Sequence, residues 1–195
     1  MTYEVSSREY LKRAKQCLEK NENQFLYYAA FEIRCGVEAR MQEYLKTQQH
    51  ISKRKQQGWK IATLGKNIEN VFKLGQKDAV LRVRDSDTKE LLLEARYTPV
   101  KAELKKKTQK IGKYLHSAKK QYDSDDEFWK NFRSELEAMI EELERATTGR
   151  MLGPLLVHPD KKHIDVKLEL ITREDHEAAK RISISDKTIL QVDYE

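Results

Sequence analysis

From Leu26 to Tyr44 the chain repeats apolar residues at the spacing of an α-helix, and one arginine interrupts the repeat. At 100° per residue Leu26, Ala29, Ala30, Ile33, Gly36, Val37, Met41 and Tyr44 share a face, and Arg40 falls inside it. A stripe of this length must be covered by other elements, so the chain needs further helices or a sheet to pack against it. A guanidinium within the stripe is expensive: left unpaired in the interior it costs on the order of 3 to 5 kcal/mol. Arg40 must therefore meet a carboxylate, a solvated cleft or an anionic ligand. It marks either a buried ion pair or a site.

The covering elements can be read on either side of it. Ser6 followed by Glu9 has capping-box spacing, and Tyr10, Leu11, Ala14 and Leu18 recur helically, which predicts a first helix over 7–20. Asn21 to Asn23 breaks it, Asn23 is placed to cap the long second helix, and the short connection predicts an antiparallel hairpin of helices. A polar stretch, 46–58, precedes a third helix over 63–74 with Leu64, Ile68, Val71 and Phe72 on its apolar face. Pro99 suits the first turn of a fourth helix reaching about Gln121, with Val100, Leu104, Thr108, Ile111, Leu115, Ala118 and Tyr122 as its stripe. A fifth starts behind the acidic run Asp123 to Glu127 and ends at Thr148, with Gly149 as its stop.

Two regions change period. VLRVRD and ELLLEARY, separated by SDTK, read as a β-hairpin near 79–98. After Gly149, MLGPLLVHP, HIDVKLELIT and TILQVDY read as strands, with a short helix starting at Thr172. A segment this small cannot supply a dependable core of its own, so 150–195 is expected as a β-α-β appendage packing on the helices or on a partner, strand addition being one route. The expected fold is mainly α: a five-helix antiparallel bundle over 1–149 with a β-hairpin insertion, followed by a small α+β extension.

Charge is distributed unevenly. Up to residue 149 the chain holds 30 Lys and Arg against 23 Asp and Glu, whereas 150–195 hold 8 against 9. Within the basic part, Lys46, Lys53, Arg54, Lys55, Lys60 and Lys66 follow one another without an acidic residue. From Arg96 to Lys120 the cations Lys101, Lys105, Lys106, Lys107, Lys110, Lys113 and Lys119 accumulate against Glu103 alone. Two such segments are either solvated lysine-rich surface or a footprint for RNA or DNA, whose neutralised phosphates release counterions. Trp59 and Tyr97, beside cations, are candidate base-stacking rings. No apolar run approaches the ~20 residues of a membrane span. The opening MTYEVSSREYLKRAKQ is polar and then helical, so no signal peptide and a cytoplasmic location are expected. Cys17 and Cys35 lack CxxC or Cys/His spacing, which predicts a reduced compartment and no zinc site.

His116 is the second residue of chemical interest. It lies at the edge of the fourth helix's stripe with Gly112 one turn before it, as Gly36 stands one turn before Arg40. Helices crossing at these glycines would bring Arg40 and His116 together, with Lys110 and Lys113 at the rim and Arg34 on a neighbouring flank. Cations that stabilise a phosphorane and an imidazole that moves a proton near neutral pH suit phosphodiester chemistry.

FLYYAAFEIRCGVEARMQEYL, followed by YTPVKAELKKKTQKIGKYLHSAKK, resembles the small helical HEPN proteins of prokaryotic defence and toxin–antitoxin systems, over roughly residues 7–148. The resemblance implies a HEPN-like bundle, a homodimer and, where active, a metal-independent endoribonuclease with the ribose 2′-hydroxyl as nucleophile. An Arg a few residues ahead of His116 is the family's partner for it. Here Lys110, Ile111 and Gly112 occupy that window, so Arg34 and Arg40 would substitute from another helix. Lysine supplies charge without the bidentate fork of arginine.

Other chemistries lack their residues. There is no Walker A loop, GxGxxG or HExxH, and no serine in a nucleophile-elbow context, so neither cofactor nor metal is expected. His50, His158, His163 and His176 do not fall at metal spacing, and the Asp123 to Glu127 cluster reads as a helix start. Two functions follow as expectations. One is a nucleic-acid-directed defence or toxin component, RNA favoured, cleaving through His116, Arg40, Lys110 and Arg34. The other is a catalytically silent subunit that docks a partner protein or nucleic acid of the same system.

Overall fold

The stripe on the second helix is covered by helices contributed from both sides of it in sequence. A computed structural model describes residues 4–48, 52–56, 58–116, 121–157, 164–185 and 187–195. His50, Lys119, Lys120, His158 and His163 lie outside the described residues. The chain is mainly helical with a small three-stranded antiparallel sheet, and it divides into two units, 1–71 with 100–147, and 72–99 with 148–195. Among the described residues no helix is long and apolar enough to cross a membrane.

The first unit contains α1 (Ser7–Leu18), α2 (Gln24–Lys46), the single turn α3 (Lys53–Gln56), α4 (Ile61–Phe72), α5 (Ala102–Ile111) and α6 (Glu127–Thr148). Ser6 caps α1 by accepting the Glu9 N–H at 3.3 Å. At the other end Arg133 of α6 donates to the carbonyls of Leu18 and Lys20, at 2.7 and 3.0 Å, which places a cation at the negative pole of the helix. Asn23 behaves differently from its expected role: it makes no side-chain cap to α2, and its amide instead donates to the Ser124 carbonyl at 3.0 Å. Leu26, Ala29, Ala30, Ile33, Val37, Met41 and Tyr44 are all buried, as are Leu136, Met139 and Leu143 of α6. Each larger side chain so buried stabilises the fold by roughly 1.5 to 3 kcal/mol.

The fourth helix is shorter than its apolar stripe predicts. It ends at Ile111 and tightens into a 3₁₀ turn over Gly112–Leu115, and His116 is extended, with φ −98° and ψ 170°. Long-range packing explains the break. Tyr114 leaves the helical path to lie against Phe132 and Phe128, with centroids 4.7 and 5.7 Å away, within a cluster that also holds Tyr27, Tyr122 and Trp129. Edge-to-face and offset contacts of this kind add about 0.5 to 1.5 kcal/mol per pair beyond area burial.

In the second unit β1 (Ala79–Asp85) and β2 (Leu91–Tyr97) form the expected hairpin. The Asp85 carboxylate accepts from the N–H groups of Asp87 and Thr88, both at 2.9 Å, and from the Ser185 hydroxyl at 2.9 Å. The Thr88 N–H, the Ser185 hydroxyl and the Asp87 N–H together hold its pKa down to about 2. The hairpin, expected as an interruption of the helical domain, pairs with the C-terminal segment. β5 (Thr188–Tyr194) lies antiparallel to β1, in the order β2-β1-β5, so strand addition occurs within the chain. The strand expected over 164–170 is reduced to β4 (Ile164–Asp165), paired with β3 (Leu156–Val157), and a bridge between Leu168 and Met151. Gly149 stops α6 where a side chain would strike the Arg96 carbonyl of β2 at 2.7 Å. α7 (Arg173–Ile184) begins with a complete capping box between Thr172 and Asp175. Burial pushes the Asp175 carboxyl up, but the N–H groups of Thr172 and Ile171, with Arg150 beside it, outweigh that and hold it below its ordinary value.

Candidate nucleic-acid groove

Arg40 is fully buried, and its partners make it structural. Its Nε donates to the Tyr44 hydroxyl and to the Ala146 carbonyl, each at 3.0 Å, and one Nη donates to Glu43 at 3.1 Å. Glu43 also accepts from the backbone and hydroxyl of Ser7, both at 2.8 Å. The result ties α1, α2 and α6 through one charged knot whose carboxylate and guanidinium satisfy each other.

The expected crossing at the two glycines does not occur. A side chain at Gly36 would meet Leu143 at 2.8 Å and Tyr10 at 3.2 Å, so this glycine serves close packing with α1 and α6. A side chain at Gly112 would run into Arg34. Arg34, not Arg40, is therefore the arginine that approaches the turn carrying His116. The error lies in extrapolating an ideal helix through Gly112: the 3₁₀ turn rotates His116 away from the predicted face.

Arg34, Lys113 and His116 line one open groove of about 600 Å³, together with Phe31, Glu38 and Trp59. α2 supplies one wall and the 3₁₀ turn another. Arg34 pairs with Glu38 across one helical turn at 3.1 Å, with the two side chains 21% and 18% exposed. Burial pushes the Glu38 carboxyl up, and Arg34 offsets part of that. Cys35 also lines the groove, but burial first, then Glu38 and Glu32, push its thiol up to about 11, so it is no nucleophile near neutral pH. Lys113 sits 4.6 Å over the Tyr114 ring, and Trp59, 64% exposed, presents an open face beside Lys60. An arginine fork, an ammonium, an imidazole and an open indole are the groups that hold a phosphate and stack a base.

The other predicted residues sit elsewhere. Lys110 pairs with Glu135 at 3.2 Å, and Lys107 bridges Glu142 at 2.8 Å and Glu103 at 3.1 Å, so both serve to join α5 to α6 or to brace α5. Glutamates on α6 are what tie these two lysines of the basic run into structure. Lys106 is exposed, Lys105 is half-buried against Gly65, and Lys53, Arg54 and Lys55 are exposed on α3 without lining the groove. Tyr97 is buried edge-on against Phe72 and cannot stack on a base. The acidic run serves the start of α6, Asp126 accepting the Phe128 N–H at 2.8 Å. Among the described residues no acid, histidine and cysteine cluster is arranged to hold a metal. Sequence reasoning missed Phe31, Cys35 and Glu38, although their spacing of four and three marks a second helical face on α2.

No protein-family model, curated protein or solved structure matches this chain.

Proposed function

We propose that this chain is a cytoplasmic, nucleic-acid-directed component of a prokaryotic defence or toxin–antitoxin system, built on a HEPN-like five-helix bundle, and that single-stranded RNA occupies the groove between α2 and the 3₁₀ turn. The observation that supports this is the shared lining of the groove by Arg34, Lys113, His116 and the exposed Trp59. Arg34 grips a phosphate in exchange for its contact with Glu38, Lys113 adds charge, and Trp59 stacks a base. In the active version His116 removes the proton of a 2′-hydroxyl, and the oxygen attacks the adjacent phosphorus. The 5′-oxygen then leaves, taking up a proton from solvent water to become a 5′-hydroxyl, and a 2′,3′-cyclic phosphate remains, while Arg34 stabilises the phosphorane. The family resemblance adds homodimerisation.

The ion pairs of Lys107 and Lys110, and the burial of Arg40, favour a second reading, in which the same groove binds without cutting. It is then a catalytically silent subunit working with a partner protein. Labelled single-stranded RNA incubated with the protein and EDTA separates the two. Cyclic-phosphate ends that disappear in His116→Ala and Arg34→Ala establish the ribonuclease. Salt-sensitive binding without cleavage, weakened by Arg34→Ala and Trp59→Ala, establishes the silent subunit. Binding indifferent to all three substitutions removes the groove from either role.

A further inference from the structure

Among the described residues β5 is an edge strand whose outer side meets no further strand. It pairs on one side, with β1, over a regular register from Thr188 opposite Asp85 to Tyr194 opposite Ala79. The N–H and carbonyl of Glu195 both bond Asp78, at 3.0 Å, and Lys187 accepts from Ser86 at 3.0 Å. Antiparallel alternation then points the backbone groups of Thr188, Leu190, Val192 and Tyr194 away from the sheet. None of these is a proline or lysine, and this register contains no bulge, the usual devices that blunt an edge. Their side chains continue the row formed by the buried Ala79, Leu81 and Val83 of β1 and Leu93, Ala95 and Tyr97 of β2. On β5 that row becomes exposed: Leu190 is 42% and Tyr194 51% accessible.

We infer that β5 pairs antiparallel with β5 of a second copy of this chain, about a two-fold axis through Gln191, to make a continuous six-stranded sheet. The strand is self-complementary at that register. Leu190 falls opposite the partner's Val192, and Thr188 opposite the partner's Tyr194. Both pairs join residues whose backbone groups point outward, so each exchanges two hydrogen bonds, about eight across the axis. Lys187 falls opposite the partner's Glu195 at both ends, which sets opposite charges face to face. Glu195 also meets Arg96 at 3.0 Å and stays 54% exposed, open to a second cation. Gln191 meets its own copy in a non-hydrogen-bonded position. This surface belongs to the sheet and is independent of the groove proposed for RNA.

Sedimentation of the full chain across a wide concentration range tests the pairing. The wild type dimerises, and Lys187→Glu, which sets like charges opposite one another twice, weakens the dimer on the order of tenfold. The double variant Lys187→Glu with Glu195→Lys restores it. Gln191→Cys cross-links under mild oxidation, because non-hydrogen-bonded partners stand about 4.5 Å apart at Cα, within disulfide reach. Ile189→Cys does not, since it faces the partner's Asp193. Leu190→Pro removes an outward N–H without touching the ladder to β1, and lowers dimerisation in the same way. A wild-type monomer at every concentration overturns the inference. So does a dimer indifferent to Lys187→Glu in which Gln191→Cys fails to cross-link.

Discussion

Arg40 has no exposed surface and spends its donors on Tyr44, Ala146 and Glu43, whereas Arg34, on the same helix, keeps about a fifth of its side chain open and meets Glu38 at the lip of a groove. Six residues of helix turn the second of these arginines about 240° from the first. One faces the core between α1 and α6, the other the turn that follows α5. The sequence position that looks most anomalous is thus the structural one, since an arginine in an apolar stripe must be fully satisfied to be tolerated there. The ordinary-looking arginine on the flank keeps an accessible fork, and accessibility is what a phosphate requires.

The contrast breaks most visibly at Arg40. Arg40→Ala takes the charged donor away from Glu43, which keeps Ser7, and from the Ala146 carbonyl, which keeps the Tyr44 hydroxyl at 3.3 Å, and is expected to cost about 3 to 5 kcal/mol in denaturant unfolding. A loss below about 1 kcal/mol, the scale of an exposed pair, would make the two arginines equivalent. The glycines sharpen the same distinction. Gly36→Ala drives a methyl group into Leu143 and Tyr10. Overpacking of about 1 to 3 kcal/mol should exceed the ~1 kcal/mol gained in helix propensity, lowering the melting temperature. Gly112→Ala meets the movable end of Arg34, so the fold should lose less than about 1 kcal/mol. Its RNA affinity should fall as far as that of Arg34→Ala.

For Arg34→Ala itself, a surface-type stability change below about 1 kcal/mol should accompany a roughly tenfold weaker RNA complex, as charge-assisted phosphate contacts are worth about 1.5 to 3 kcal/mol before solvent screening. The smallest effect concerns pH. Burial raises the Glu38 pKa above the ordinary glutamate value, more than Arg34 lowers it. The fold therefore favours the protonated acid. Its contribution is complete below the ordinary glutamate range and is lost as pH rises through the raised value. Unfolding curves of wild type and Glu38→Gln should consequently diverge from acid toward neutral pH, with the wild type losing ground. Parallel curves would mean that Arg34 already compensates the buried carboxylate.

Local chemistry was readable in the sequence wherever the decisive partner lay within a few residues. Ser6 and Glu9 announce α1, and SDTK between two β-type runs announces the hairpin turn, which Asp85 and Thr88 close by a local hydrogen bond. The burial of the α2 stripe follows from periodicity, and the cost of burying charge requires a partner for Arg40 while leaving open a carboxylate, a solvated cleft or an anionic ligand. The identity of its partners does not, since Ala146 lies 106 residues away. The same holds for Gly112, where the helix gives way because Phe128 and Phe132 hold Tyr114, and for Lys107 and Lys110, whose glutamates sit on α6. The candidate groove was half legible: Arg34, Lys113, His116 and Trp59 were visible as individual residues, but their meeting depends on where α5 stops.

The central position of β1 in its sheet carries a consequence for biosynthesis. Its partner on one side follows after a tight turn, while its partner on the other begins at Thr188, more than a hundred residues later. A ribosome producing this chain emits every helix of the first unit before it reaches that last strand. The helical unit can therefore fold while the nascent hairpin still waits with one bare edge, and closing so long a loop is among the slow events in folding. During that interval the free side of β1 is an unpaired edge open to a nascent-chain chaperone or to another chain.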